Sequence, residues 1–588
     1  MTDTKQSRLT ATLLCVTPPD EHQEQGIRAF LQKKYGEDVA LTIQQDSSLK
    51  SGFQLHVGSE VYDWSAKGRM EQFRQQVEQL VAKNTRKDII PLLRSSIDEF
   101  RLLAKSSEVG TVKSIGDGIA VVEGLEHAAY GEILMFDNGI KGMVQDLRRN
   151  ETGCILFDNA DDISAGSKVA RTGKTAGVPV GDAFLGRVVD ALGRPIDGGD
   201  AIPADGYRPV EEPAPGIIDR QSVDTPMETG LLSIDAMFPI GRGQRELIIG
   251  DRQTGKTAIA LDAMLNQKGK NVICVYVAIG QKASSVAQLV ENLRKRDAMD
   301  YCVVVSATAG EADTMQYIAP YAGCAMAEYY MHKGRDVLIV YDDLSKHAIA
   351  YRAMSLLLER APGREAYPGD VFYLHSRLLE RSAHLSDKLG GGSMTALPIV
   401  ETQAGDVSAY IPTNIISITD GQIFLESDLF FAGQRPAVNV GLSVSRVGGA
   451  AQTKATKKAT GSLRLDLAQY REMEVFTQFS SDLDDSTKEQ LHYGQGLMRI
   501  LRQKQYHPLS MHQQVIVLVC AMGHVLSKVA VKDVTDFRDA LLDHFEQEHS
   551  DLCRSLEDEK VLTDDMKQEI LRIAEKCLAA NAERFRKE

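Results

Sequence analysis

The sequence predicts a multidomain α/β protein in which a parallel sheet carries a phosphate-binding loop. Three observations predict this class. The chain has 588 residues, its central region alternates apolar strand patterns with helical ones, and one complete phosphate-loop motif lies within that region. Because a single hydrophobic core stops growing at about 250–300 residues, we expect several domains.

The N-terminal part of the chain has two β-rich patterns. Alternating apolar residues around one helical pattern predict a small α/β unit over residues 1–85, which ends in an amphipathic helix at about 67–83. A linker or helix follows at 86–105. Short strands with glycine-rich turns then predict a β-barrel over residues 106–176.

Strands and helices alternate over residues 177–452, which we predict to be the nucleotide-binding domain. The apolar runs at 272–279, 301–306 and 337–341 are continuous and rich in β-branched residues. Such runs are typical of parallel strands that are covered on both faces. Residues 453–588 have a helical pattern nearly throughout, so we expect a helical C-terminal domain.

The phosphate-loop motif G-x-x-x-x-G-K-T follows an apolar strand and precedes a helical pattern. Its glycines let backbone N–H groups turn toward phosphate oxygens, its lysine supplies a positive charge, and its threonine hydroxyl suits Mg²⁺. The loop consists of Gly250, Asp251, Arg252, Gln253, Thr254, Gly255, Lys256 and Thr257. A second Gly-Lys-Thr, at 173–175, has Lys168 where the motif needs a glycine, so we expect no phosphate site there.

Two further residues belong with this loop by their positions at strand ends. Asp342 ends an apolar strand, where a carboxylate orients Mg²⁺ and its waters in phosphate-loop proteins. Gln281 follows another strand; its amide can position water but cannot accept a proton, so it favours binding without efficient turnover. A solvated aspartate and a polar loop residue without a role are the alternatives that the sequence leaves open.

The composition limits the classes of function. The net charge of −14 argues against a nucleic-acid motor, which needs a basic track. The eight cysteines are scattered without a C-x-x-C pair, which is typical of reduced thiols in a cytosolic protein. We find no signal peptide and no apolar stretch that could span a bilayer, so any membrane link is expected through a partner.

At this point long motifs identify a family. The chain resembles the α subunit of the F-type rotary ATP synthase over about residues 95–588. The matching segments are PIGRGQRELIIGDRQTGKT at 239–257, YVAIGQK at 276–282, YDDLSK at 341–346, PGREAYPGD at 362–370 and GLSVSRVGG at 441–449.

The resemblance implies a β-barrel crown, a RecA-like phosphate-loop nucleotide domain and a helical C-terminal domain. It also implies a hexamer of alternating α and β subunits around a rotating γ shaft, as part of an H⁺- or Na⁺-transporting ATPase or ATP synthase. In that family the α site binds Mg²⁺ with ATP (or ADP) and does not turn the nucleotide over. The implied nucleotide ligands, beyond the eight loop residues, are Gln281, Asp342, Arg435, Pro436, Gln503 and Gln505.

The same resemblance gives two residues a metal role and one a catalytic role. Thr257 is the implied Mg²⁺ ligand, and Asp342 the implied ligand through water. Arg446, in the segment SVSRVG, matches the arginine that the α subunit extends into the neighbouring β subunit's catalytic site. Such arginine fingers contribute roughly 10³–10⁵ in rate, or about 4–7 kcal/mol of barrier.

Residues 1–85 resemble the C-terminal domain of the synthase δ subunit. The match rests on Gly52-Phe53, Val57-Gly58, Val61 and the pattern D-x-S-x-x-G-R at 63–69. This implies that the unit binds the b subunits of the peripheral stalk. It also implies a peripheral position on the cytoplasmic face of a bacterial inner membrane, with the membrane reached only through the complex.

Two other classes of function stay open on the sequence. A self-sufficient phosphate-loop motor of the secretion type would hydrolyse ATP alone, and Gln281 argues against it. A nucleic-acid translocase would use the same kind of nucleotide domain, but the acidic balance and the lack of a basic, aromatic track oppose it.

Overall fold

The computed structural model describes residues 10–19, 21–35, 39–49, 51–58, 60–65, 68, 106–137, 139–158, 163–477 and 485–585. The chain divides into two compact units, residues 1–176 and 177–588. The linker or helix predicted at 86–105 lies outside the described residues. So does the amphipathic helix predicted at about 67–83, apart from residue 68.

The first unit begins with a small sheet covered by one helix. Strands β1 and β2 are parallel, as a strand–helix–strand crossover requires, and β1–β3 and β3–β4 are antiparallel. Leu13, Leu31 and Leu55 form part of its core, each at most 2% exposed. The elements are β1 (Thr10–Cys15), α1 (Glu21–Tyr35), β2 (Ala40–Gln45), β3 (Phe53–Val57) and β4 (Glu60–Asp63).

A closed six-stranded barrel follows in the same unit. The order β10-β7-β8-β9-β6-β5 is closed by pairing of β10 with β5. Strand β5 also pairs with β4, with Tyr62 opposite Ser106, so the N-terminal sheet continues into the barrel. The strands are β5 (Ser106–Gly116), β6 (Ile119–Glu123), β7 (Glu132–Phe136), β8 (Lys141–Leu147), β9 (Glu151–Leu156) and β10 (Lys168–Thr175).

The second unit is built on an eight-stranded sheet with the order β12-β16-β15-β17-β18-β14-β19-β20. All neighbours are parallel except β20, which runs antiparallel to β19. Strands β11 and β13 form a separate pair. The strands are β11 (Gly177–Val180), β12 (Val188–Val189), β13 (Gly206–Pro209), β14 (Leu247–Asp251), β15 (Val272–Gln281), β16 (Cys302–Thr308), β17 (Asp336–Asp342), β18 (Ser393–Thr402), β19 (Gly421–Leu425) and β20 (Val444–Ser445).

Helices cover this sheet, and its central strand β15 is buried over nine of its ten residues. That burial on both faces explains the continuous apolar run in the sequence. The helices are α2 (Leu232–Met237), α3 (Lys256–Leu265), α4 (Ala283–Arg294), α5 (Asp313–Met331), α6 (Leu344–Leu357), α7 (Val371–Leu379), α8 (Tyr410–Ile418) and α9 (Ser427–Phe431).

The described part of the C-terminal region is mainly helical, with a non-helical segment at 501–510. Helix α13 forms its centre, with Val515 and Leu518 fully buried. Among the described helices, none combines the length and the apolar composition that a membrane span requires. The helices are α10 (Lys454–Thr460), α11 (Leu463–Thr477), α12 (Asp485–Ile500), α13 (Met511–Met522), α14 (Val534–Glu548), α15 (Ser550–Glu559), α16 (Asp564–Ala580) and α17 (Ala582–Phe585).

Candidate nucleotide site

The phosphate loop connects the end of β14 to the start of α3. Gly255 precedes the helix with a φ of 95°, a left-handed conformation that favours glycine. A Cβ on Gly250 would lie 2.5 Å from the Leu425 carbonyl oxygen, so the loop can pass β19 only with glycine there. The Thr254 hydroxyl donates to the Asp251 carbonyl oxygen over 2.8 Å. The loop therefore presents the free N–H groups of a helix start, which attract anions.

Lys256 is buried and points back over its own loop. Its Nζ donates to the carbonyl oxygens of Gly250, over 3.0 Å, and Asp251, over 2.6 Å. Burial lowers the pKa of this ammonium group, although several carboxylates nearby act in the opposite direction. A buried cation whose hydrogen bonds go to carbonyl oxygens is well suited to an anionic ligand.

The Asp342 carboxylate is the centre of the polar network beside the loop. It is 3% exposed and accepts hydrogen bonds from the Thr257 hydroxyl (2.7 Å), the Tyr276 hydroxyl (2.5 Å) and the Gln281 amide (3.0 Å). Burial and the charge of Asp342 raise the pKa of Tyr276 well above its ordinary value, so this phenol stays a donor. Thr257 and Asp342 together offer the hard oxygen atoms that Mg²⁺ prefers.

Gln281 ends β15 with its amide directed at Asp342. Because the amide nitrogen donates to a carboxylate, this side chain provides no proton acceptor for an attacking water. The adjacent Asp343 is 2% exposed and accepts from the Lys346 backbone N–H, which makes it the N-cap of α6. Burial and the charge of Asp342 raise the pKa of Asp343 to about 7.

Three other loop residues have different roles. The Asp251 carboxylate accepts from the Thr402 hydroxyl (2.6 Å), the Gly405 N–H (2.8 Å) and the Ser427 hydroxyl, so it ties the loop to β18 and α9. Arg252 is 76% exposed at its side chain. Gln253 is exposed and has a positive φ of 64°. Both side chains are exposed beside the loop, and Arg252 Nε lies 3.7 Å from Glu401 Oε1.

A cavity of about 900 Å³ extends from the phosphate loop to the predicted adenine pocket. Its far end is lined by Phe430, Arg435, Pro436, Gln503 and Gln505. The Arg435 guanidinium lies 4.4 Å from the centre of the Phe430 ring. This volume is in the range of small-molecule sites. All the predicted nucleotide ligands except Gly250 and Asp251 line this one cavity.

The two glutamines of this pocket differ in what they bind. Gln503 is 8% exposed; its Oε1 accepts from the Leu232 N–H over 2.7 Å, and its Nε2 donates to the Gly230 carbonyl oxygen over 2.9 Å. Its amide therefore holds the backbone of the pocket wall. Gln505 is exposed and makes no side-chain hydrogen bond to another described residue, so its amide is available to a base.

Sequence reasoning missed the residues that hold the segment around Gln505. Asp262, on α3, accepts from the Tyr506 backbone N–H over 2.7 Å. Burial raises the pKa of this carboxyl to about 6. The Arg296 guanidinium lies 4.0 Å from the centre of the Tyr506 ring. An aspartate on the buried face of a helix that leaves a phosphate loop is the signal that could have found this contact.

Arg446 lies outside this cavity, directly after β20. Its side chain is exposed, and it forms no hydrogen bond or ion pair within the part of the chain that the structure describes. Its backbone is held: the Arg446 N–H donates to the Asp420 carbonyl oxygen over 2.9 Å. A charged side chain without a partner, on an anchored backbone, is available to a group outside this chain.

Family models match four parts of the chain. They are the "ATP synthase alpha/beta family, nucleotide-binding domain" over 230–445, the "ATP synthase alpha/beta chain, C terminal domain" over 452–577, the "ATP synthase alpha/beta family, beta-barrel domain" over 105–173 and the "ATP synthase delta (OSCP) subunit" over 1–77. The last match supports the N-terminal resemblance to a δ subunit.

Two similar proteins each match most of the chain. It is 58% identical over 483 residues to a protein of Clostridium botulinum (strain Hall) named "ATP synthase subunit alpha", with 82% of this chain and 96% of the relative covered. A Clostridium kluyveri protein of the same name is 56% identical over 483 residues, with the same coverage.

Proposed function

Because the chain belongs to the ATP synthase alpha subunit family and carries an N-terminal δ-like domain, we propose that it is a non-catalytic nucleotide-binding subunit of an F-type ATP synthase. In this proposal its own site holds Mg²⁺ with ATP or ADP. Its contribution to catalysis is made by Arg446, in the site of a neighbouring β subunit. The complex couples ATP synthesis or hydrolysis to H⁺ or Na⁺ transport.

The nucleotide site supports binding without turnover. Lys256 and the loop N–H groups receive the phosphates, and the Gln505 amide is available to the base. Thr257 and, through water, Asp342 are the residues that would hold Mg²⁺, which offsets phosphate charge when bound. Gln281 fixes Asp342 by a 3.0 Å hydrogen bond and supplies no general base. A nucleotide held here stabilises the subunit and is not consumed.

The observation that carries the catalytic proposal is the unpartnered guanidinium of Arg446 on an anchored backbone. A guanidinium has five donors in a planar fork that fits phosphoryl oxygens. Placed on the transferring phosphoryl group of a β site, it stabilises the charge that develops in the transition state.

The test is the substitution Arg446→Ala in the assembled complex. We expect kcat for ATP hydrolysis to fall by about 10³-fold or more, while this chain still retains nucleotide. The control is the bound nucleotide per chain after removal of free ligand, which the variant should not change. Full turnover by the variant complex would refute the assignment of Arg446.

We further propose that residues 1–85 connect the head to the b helices of the peripheral stalk. The match of residues 1–77 to the δ subunit model supports this role. Deletion of residues 1–85 should abolish co-purification of the b helices with the head, while hydrolysis by the head persists. Unchanged co-purification would exclude the proposed link.

The remaining assignments follow from membership in such a complex. The proposed partners are β and γ subunits in an alternating hexamer, and the proposed location is the cytoplasmic face of a bacterial inner membrane. The domain boundaries at residues 85, 105, 176 and 452 stay predictions. The self-sufficient secretion-type motor is not favoured, because the relatives reported above carry the alpha subunit name.

A further inference from the structure

A buried carboxyl group lies against the strand pair that carries Arg446. Glu246 is 0% exposed; its Oε2 accepts from the Gln244 amide over 2.7 Å, and its Oε1 has no hydrogen-bond partner among the described residues. Burial, and next the charge of Asp420, raise the pKa of this carboxyl well above its ordinary value, while Gln244 and the charge of Arg446 oppose this. An unpaired buried oxygen is costly and calls for an explanation.

Gln244 links this carboxyl to the residue that precedes Arg446. It is 0% exposed, and its Oε1 accepts from the Gly241 N–H over 2.8 Å. Its Nε2 donates to Glu246 and also to the Ser445 hydroxyl oxygen, over 3.2 Å. The Ser445 hydroxyl in turn donates to the Pro239 carbonyl oxygen over 2.8 Å. The residue before Arg446 is therefore fixed by the segment that leads into β14.

Glu246 also packs on the backbone of the same strand pair. A Cβ built on Gly421, the first residue of β19, would lie 2.5 Å from Glu246 Oε2 and would also collide with the Val444 carbonyl oxygen. Gly421 is the residue paired with Ser445. The carboxyl thus lies against Gly421, the partner of the residue that precedes Arg446.

Arg245, which lies between Gln244 and Glu246, fixes the residue that binds the Arg446 backbone. The Arg245 guanidinium donates to the Asp420 carboxylate over 3.0 and 2.8 Å, and the Arg245 N–H donates to the same group over 3.0 Å. The Asp420 carbonyl oxygen accepts the Arg446 N–H. Residues 244–246 therefore hold the backbone around Arg446. Gln244 bonds Ser445, Arg245 bonds Asp420, and Glu246 lies against Gly421.

We propose that Gln244 and Glu246 are positioning residues for Arg446. Their buried, hydrogen-bonded pair sets the direction in which the guanidinium leaves the subunit, toward phosphoryl oxygens of a neighbouring site. This rests on the proposed role of Arg446. It also connects that role to β14, the strand that leads into the phosphate loop of this chain.

The experiment is a double-mutant cycle in the assembled complex. Glu246→Leu removes both oxygen atoms, and we expect kcat to fall about 10- to 100-fold with KM for Mg-ATP changed less than twofold. Glu246→Gln keeps an acceptor for Gln244 and should stay within about threefold of the wild-type kcat. Gln244→Leu is a second variant that removes the bond to Ser445 and should resemble Glu246→Leu.

The decisive measurement is kcat of Glu246→Leu in a complex that also carries Arg446→Ala. If Glu246 acts through Arg446, Glu246→Leu has no further effect on kcat there, whereas a residue that only stabilises the fold lowers kcat again. A further loss in the double variant, or wild-type kcat in both single leucine variants, would overturn the proposal. If Arg446→Ala alone retains full kcat, the proposed function itself fails, which separates the two outcomes.

Discussion

The nucleotide cavity and Arg446 are opposite kinds of polar site. In the cavity the key groups are buried and bonded to one another: Asp342 accepts from three side chains, and Lys256 is bound to its own loop. Arg446 is exposed, and only its backbone is held. This contrast is what we expect if the cavity retains its ligand and Arg446 serves a site in another subunit, as proposed above.

After Arg446→Ala, the largest expected effect comes from a substitution that changes the shape of this exposed cation but keeps its charge. Arg446→Lys keeps one positive charge but loses the planar fork. We expect kcat of the complex to fall by about 10²-fold or more, as measured by steady-state hydrolysis. Activity within a few-fold of wild type would mean that charge alone suffices, which contradicts a geometric role.

The second substitution tests the cavity. Lys256→Ala removes the cation that faces the phosphates, and loss of about 3 kcal/mol of charged hydrogen bonding lowers nucleotide affinity about 10²-fold. Equilibrium binding to the isolated chain measures this. The complex should keep its kcat within about threefold; a loss as large as that of an Arg446 variant would make the cavity catalytic.

Gln281→Leu should have a smaller effect on the same cavity. It removes the 3.0 Å hydrogen bond to Asp342 while keeping similar volume. Loss of one hydrogen bond to a charged group costs about 1.5 kcal/mol, so we expect Mg-ATP affinity to fall about tenfold, with kcat of the complex unchanged. Titration with and without Mg²⁺ measures the effect, and a loss seen equally without Mg²⁺ would separate Gln281 from the metal ligands.

The smallest effect lies outside both regions, at His512 in the helical domain. Its ring is bonded to Glu557 and Glu546, each over 2.8 Å. Burial lowers the pKa of His512, but the two carboxylates outweigh it and raise the pKa above the ordinary 6.5. This stabilisation is complete below pH 6.5 and is lost as pH rises through the raised folded-state pKa.

The two carboxylate partners of His512 set the lower pH limit of this stabilisation. The hydrogen bonds from His512 hold the pKa values of Glu546 and Glu557 below the ordinary 4.5, so their contribution is present above pH 4.5 and is lost on acidification. His512→Gln should therefore lower the free energy of unfolding by about 1 kcal/mol at pH 5–6 and less at pH 8. Urea denaturation measures this, and a loss independent of pH would contradict the ionic role.

Much of the second unit could be predicted from local pattern. Continuous apolar runs predicted β15, β16 and β17, and the Gly-Lys-Thr at 255–257 follows β14 and begins α3. The same triplet at 173–175 lies in β10, within the region that the short strand patterns predicted to be a β-barrel. Those features depend on neighbours in sequence, which a single chain displays.

Contacts between distant residues could not be predicted. The resemblance placed Gln503 in the pocket, but its bonds to Gly230 and Leu232 join residues more than 270 apart. Asp262 was missed because its partner is the backbone N–H of Tyr506. A backbone group is the same at nearly every residue, so the sequence does not show which one a side chain binds. The pairing of β4 with β5 and the two-residue strand β20 are likewise set by tertiary contacts.

The most direct test follows the fate of ATP held by this chain when the proposed arginine is absent. Arg446→Ala complexes would be loaded with γ-labelled ATP and Mg²⁺, freed of exchangeable nucleotide, and sampled over hours for label that remains as ATP on this chain. We predict that the retained nucleotide stays ATP, since the Gln281 amide beside Asp342 cannot accept a proton from an attacking water. Conversion of that nucleotide to ADP on the time scale of wild-type turnover would contradict the account.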